Sequence, residues 1–150
     1  LEFRRVLFRS AVERKLNDPK VPTMDKAALA FPDDAAGRLA GQQVEARIRA
    51  AAKDGTAPDD FKVPERTALR QDRARTTLWN ADDANYVALA DVRVPVLVAD
   101  GRDDLIDVPA NSLVVANRIP FSWLAFFEGG HAFLFQDARK FAETVDVFLQ

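Results

Sequence analysis

The chain carries one histidine, His131, inside the stretch FFEGGHAFLFQ, and a cluster of acids, Asp100, Asp103, Asp104 and Asp107, upstream of it. An aspartate bonded to the Nδ1–H of an imidazole fixes the tautomer of the ring. It also stabilises the imidazolium that forms when the other nitrogen takes up a proton. The chemistry such a pair serves is activation of a nucleophile, either a hydroxyl or a water. A turn histidine satisfied by backbone carbonyls is the plain alternative. The absence of cysteine excludes disulfides and thiolate metal sites. Asp18, Asp25, Asp33 and Asp34 have no second histidine to join them, so no metal site is expected.

For the acid and the base to meet, two segments must end on one edge. VRVPVLVADG is a continuous apolar run of strand length, the pattern of a strand buried on both faces of a parallel sheet. VPANSLVVANRIP then predicts a helix with Pro109 near its first turn and Pro120 just beyond its end. FSWLAFFEGG predicts the second strand, and QDARKFAETVDVFLQ a closing helix whose buried face holds Phe141, Val145, Phe148 and Leu149. Strand, helix and strand make a parallel pair, which opens the GRDD loop and the EGGH loop at the same carboxyl edge. Neighbouring strands lie about 4.8 Å apart, within reach of an aspartate–histidine contact.

The region before residue 91 is different, rich in Ala, Arg, Asp and Gln. DDAAGRLAGQQVEARIRAAAKDG predicts a helix capped by Asp33 or Asp34 and ending before Gly55, with Ala40, Val44, Ile48 and Ala51 on one stripe. Gly37 and Gly41 weaken it by about 1 kcal/mol each relative to alanine. PERTALRQDRARTTLW predicts another helix opening at Pro64, with Leu69, Thr76, Leu78 and Trp79 as a partial apolar face. Both must lie against something else. LEFRRVLFRS at the start has no helix or strand period and bears no relation to the Ala- and Asp-rich sequence after it, so residues 1–10 read as an artefactual tail, with a genuine basic N-terminal arm as the alternative.

Composition bounds the function. The 150 residues are 48% hydrophobic and 29% charged, ordinary for a globular domain, and the formal net charge of -2 gives no electrostatic case for nucleic acid or anionic lipid. No apolar run approaches the ~20 residues of a membrane span.

The ordered set from VRVPVLVADGRDD through EGGH to the helix ending in FLQ resembles the C-terminal third of an α/β-hydrolase-fold enzyme, over roughly residues 91–150. The expected fold class is therefore α/β, a partial α/β-hydrolase fold: the last two parallel strands with flanking helices, plus a helical lid segment at 11–90. Gly101-Arg102-Asp103-Asp104 matches the family's Gly-x-x-Asp. The resemblance thus implies Asp104 as catalytic acid and His131 as base, with Asp103 the runner-up acid and Asp100 and Asp107 behind it. Trp79 on the lid and Phe133 after the histidine are possible substrate-pocket residues; core packing is the simpler role for each.

The family's nucleophile sits in Gly-x-Ser-x-Gly on a strand-to-helix turn. Ser10, Ser112 and Ser122 lack the flanking glycines, so no nucleophile is expected in this chain. The resemblance accordingly implies a C-terminal fragment of an esterase- or lactonase-like serine hydrolase, acting on a small molecule without a cofactor; oligomeric state is left open, and the cytoplasm is the expected location without a motif to assign it. Two alternatives stand beside it. One is a relative of haloalkane dehalogenases or epoxide hydrolases with an aspartate nucleophile; the other is a non-catalytic α/β binding module. Two parallel strands alone leave apolar faces open, so the isolated chain is expected to be inactive and to aggregate.

Overall fold

The computed structural model describes residues 10–18, 20–56, 63–74 and 84–150. Helices α1 (Ser10–Asn17) and α2 (Thr23–Ala27) lead into a 3-10 turn at Ala28–Ala30, followed by the long helix α3 (Ala35–Lys53). Helices α4 (Glu65–Arg73) and α5 (Ala84–Ala88) precede strand β1 (Val96–Gly101). The remainder is α6 (Pro109–Arg118), β2 (Ser122–Phe127), α7 (Phe133–Gln136) and α8 (Ala138–Phe148). The expected tail falls almost entirely on residues outside the described ones, as do Thr76, Leu78 and Trp79; of the tail only Ser10 is described, as the first residue of α1.

Asp34 caps α3. Its Oδ1 accepts the Gly37 N–H at 2.7 Å, satisfying one of the donors that every helix start leaves over. Asp33 instead pairs with Arg38 on the surface. Replacing Asp34 by alanine is expected to cost about 1 kcal/mol, read as a lower thermal midpoint with reduced helical dichroism. The glycines of α3 have a use that their propensity cost hides. A Cβ on Gly37 would collide with the Pro32 carbonyl, and one on Gly41 would sit 3.3 Å from the Phe31 ring. Both positions let the segment Ala28–Pro32 lie flat on the helix. That segment also touches the histidine turn, and α3 itself packs on α7. In α4, Pro64 is the cap rather than the first helical residue, and Leu69 is exposed.

β1 and β2 pair in parallel, in the register Val96↔Ser122 through Gly101↔Phe127. Helix α6 starts with Pro109 at its first position, where a missing N–H costs nothing, and returns the chain across both strands. The expectation of a strand buried on both faces is only partly met. Val96 to Ala99 are half-buried, and full burial begins at Asp100 and Gly101. With two strands among the described residues, neither face is covered along its whole length.

The core lies at the carboxyl end of the strands. Phe127 stacks on Phe133 with ring centres 5.2 Å apart, and Phe141 meets both rings edge-on at 5.7 and 5.6 Å. Phe133 is 8% exposed. Its ring packs between Phe127 and Phe141. The closing helix also differs from expectation. FLFQ forms its own short helix, α7, and Asp137 separates it from α8. Phe148 packs edge-on against Trp123, whereas Leu149 lies beyond the last turn and is exposed.

Candidate functional site

Both strands end at the same edge, and the loops leaving them are laced together. The ladder runs one step past the strands through Arg102 N–H to Phe127 O, at 2.9 Å. Asp103 N–H then donates to Gly129 O at 2.9 Å. Above this the Arg102 guanidinium pairs with Glu128 at 3.1 Å on the surface. Gly101 makes the lacing possible, because a Cβ there would strike the carbonyls of Gly129 and Gly130.

The histidine turn is built from backbone. Gly129 takes φ 121°, a conformation that L side chains rarely adopt. Gly130 N–H donates to Gln136 Oε1 at 3.0 Å, so α7 holds the turn from below. Ala132 N–H donates to Ala30 O at 2.8 Å, which ties the turn to the 3-10 segment on its other side. A Cβ on Gly130 would press on that same Ala30 carbonyl, so glycine is required for the approach. Sequence reasoning missed Gln136 and Ala30. Gln136 carries no distinguishing signal, and Ala30 acts through a carbonyl that every residue has.

His131 Nδ1 lies 2.8 Å from Asp104 Oδ2. The Asp104 side chain is 2% exposed and the His131 side chain 46%. The other carboxylate oxygen, Oδ1, accepts the N–H groups of Ile106 at 2.7 Å and Asp107 at 2.8 Å. A carboxylate so placed is an acceptor on both oxygens, so the imidazole carries its proton on Nδ1 and donates it. Nε2 is left as the basic nitrogen of a half-exposed ring.

Burial pushes the Asp104 carboxyl upward. The bond from His131, the amides of Asp107 and Ile106 and the imidazolium charge outweigh it, and the group titrates below the ordinary aspartate range. His131 is raised chiefly by its bond to Asp104, against partial burial. The charges of Asp104, Asp107 and Asp100 add to the rise.

These directions set a pH window. The lowered acid contributes stability above the unfolded aspartate value of about 3.9 and loses it as pH falls through its folded value. The raised base contributes fully below the unfolded histidine value of about 6.5 and loses its part as pH rises through its folded value. The stability difference between the wild type and Asp104→Asn is therefore expected to be widest between about pH 4 and 6.5. Denaturant midpoints measured across pH check this; a difference that does not depend on pH contradicts it.

The other acids are placed elsewhere. Asp103 is exposed, and its backbone rather than its carboxylate makes the cross-loop bond. Asp107 accepts from Asn111 Nδ2 at 2.9 Å. Asp100 is buried behind Asp104 and accepts from Ser112 Oγ at 2.6 Å and from Gly101 N–H at 2.7 Å. Ser122 Oγ donates to Ala116 O at 2.6 Å. Neither Ser112 nor Ser122 is bonded to His131, and among the described residues no cluster of His, Cys, Asp or Glu could hold a metal ion. No described helix is long and apolar enough to cross a membrane.

No known family profile and no curated protein matches the chain. Solved structures do. An α/β fold family hydrolase from Bacillus anthracis str. Sterne superposes with a TM-score of 0.63 at 18% identity, over 92% of this chain and 46% of that one. A structure described as an N-acyl homoserine lactone degrading enzyme gives a TM-score of 0.41 at 20% identity, over 92% of this chain and 62% of the other. The chain thus has part of the α/β-hydrolase fold, and spans about half the length of the first of these structures.

Proposed function

We propose that the chain supplies the acid and the base of an α/β-hydrolase, and that the nucleophile comes from residues beyond these 150. The observation that carries the reading is the Asp104–His131 bond of 2.8 Å. It occupies one ring nitrogen and leaves the other free of that bond on a half-exposed ring. His131 then deprotonates a serine hydroxyl as it attacks an ester or lactone carbonyl, and returns the proton to the leaving oxygen as the tetrahedral intermediate collapses. Asp104 keeps the ring in register and stabilises the imidazolium between the two transfers. A small-molecule substrate and a lid formed by residues 11–90 belong to the same reading. In support of the lid, the Ala28–Pro32 segment touches the histidine turn directly.

The alternative of an inert binding module is disfavoured because the turn amides of Ile106 and Asp107 use only Oδ1 of Asp104, while its buried Oδ2 is bonded to the half-exposed His131 ring. The isolated chain is expected to be inactive. Exposed Phe121, Trp123 and Val147 favour aggregation as well.

The test is to express the chain together with the coding sequence upstream of it and to treat the product with a serine-reactive phosphonate. Labelling lost in His131→Asn supports a serine nucleophile. Hydrolysis of a haloalkane or an epoxide without labelling points to an aspartate nucleophile. The absence of both labelling and hydrolysis overturns the proposal.

A further inference from the structure

Asp104 is not the only buried acid at this edge. Asp100, the penultimate residue of β1, is 4% exposed. Its Oδ2 takes the Ser112 hydroxyl at 2.6 Å and its Oδ1 takes its neighbour's amide, Gly101 N–H, at 2.7 Å. Both donors are neutral, and no lysine or arginine is seen paired with it among the described residues. The nearest guanidinium along the chain, Arg102, is committed to Glu128 on the surface. A strand end filled by an apolar residue avoids this burial altogether. The charge of Asp100 therefore falls on what stands next to it, and that is the Asp104–His131 pair.

We propose that Asp100 is a second carboxylate of the site, a positioning residue that acts on His131 alongside Asp104 and is held in place for this by Ser112 of α6. The inference rests on the reading of His131 as a base. Ser112 Oγ spans from the crossover helix to the strand end and closes the base of the 101–108 loop that carries Asp104. Asp104 accepts the ring N–H directly; Asp100 adds negative charge from the buried strand end beside it. Burial raises Asp100 first, the neighbouring Asp104 raises it further, and the Ser112 and Gly101 donors pull the other way. The groups acting on the imidazole are then Asp104 by bond and charge, and Asp107 and Asp100 by charge. A base served by two buried carboxylates keeps its imidazolium to higher pH than one served by a single acid.

The single histidine makes this measurable without any activity. The rate of ethoxyformylation of His131 by diethylpyrocarbonate, followed on its peptide by mass spectrometry with the chain at submicromolar concentration, reports the neutral imidazole fraction as a function of pH. Wild type, Asp100→Asn, Ser112→Ala and Asp104→Asn are compared. The asparagine at 100 is isosteric: its oxygen accepts from Gly101 N–H and its amide nitrogen donates to Ser112 Oγ. The expected midpoint for Asp100→Asn lies between those of wild type and Asp104→Asn, with modification about twofold faster than wild type just below the wild-type midpoint. Ser112→Ala moves the midpoint the same way by less, because a carboxylate short of a donor holds its proton more readily; Ser112 does not touch the ring, so a merely structural role moves nothing.

A raised wild-type midpoint that Asp100→Asn leaves unchanged overturns the role of Asp100 while the Asp104–His131 pair stands. A wild-type midpoint at the ordinary histidine value overturns the pair and this inference together. If Asp100→Asn loses its far-ultraviolet dichroism, Ser112→Ala decides: a lowered midpoint supports the proposal and an unmoved one ends it.

Discussion

On the proposed function, His131→Asn in the protein extended upstream is expected to lower kcat about a thousandfold with KM little changed. Asparagine preserves a donor toward Asp104 but has no nitrogen that accepts a proton, so the variant removes the base and leaves the loop standing. The loss falls on kcat because proton transfer develops in the transition state, whereas substrate binding does not need it. The residual rate is what remains from orientation and from any donors to the developing oxyanion. A variant that keeps a tenth or more of the activity removes His131 from the mechanism. Asp103→Asn is the internal control: its carboxylate lies on the surface, so activity within about twofold of wild type is expected, surface substitutions being close to neutral.

Gly101→Ala is the second large effect, and it acts through backbone. The added methyl group would meet the carbonyl oxygens of Gly129 and Gly130, which cannot rotate aside as a side chain can. The strand end and the histidine loop must part. Overpacking of this kind costs about 1–3 kcal/mol, occasionally more. The functional consequence is larger than the energetic one, because parting these loops withdraws His131 from Asp104. Denaturation gives the first quantity. The second is the pH dependence of His131 modification, expected to fall back to that of an unpaired histidine. Retention of a raised midpoint in Gly101→Ala shows that the loops tolerate the separation, and that the glycine is not what sets the contact.

Much of this arrangement is legible in the residues. The unbroken apolar run before Gly101 and the second run before Gly129 specify a parallel pair, because the crossover helix between them is too long for a hairpin and has proline at its first position. A parallel pair puts both connecting loops on one edge, which brings GRDD and EGGH together. The cap of α3 is legible to within one residue, Asp33 or Asp34, and the geometry selects Asp34.

Other features are not legible, each for a physical reason. FLFQ is too short to show a helical period, so α7 is not legible and the closing helix is expected from Gln136 rather than Ala138; Leu149 continues the apolar period but lies past the last turn and is exposed. The half-exposure of β1 reflects which strands surround it, and a strand's own residues say nothing of its neighbours.

What the residues alone determined is local and periodic: which segments are strands and helices, the parallel connection, and the presence of acid and imidazole on adjacent loops. What only the tertiary structure decided is which aspartate faces the ring. Asp103 and Asp104 are chemically identical and adjacent. The choice is made by the lacing of two loops, where Asp103 gives its amide to Gly129 and turns its carboxylate to solvent. The next residue then points inward to His131 and to the amides of Ile106 and Asp107. Long-range backbone contacts of this kind, like the Ala30 carbonyl on Ala132, are made by groups that every residue possesses, so no pattern of side chains records them.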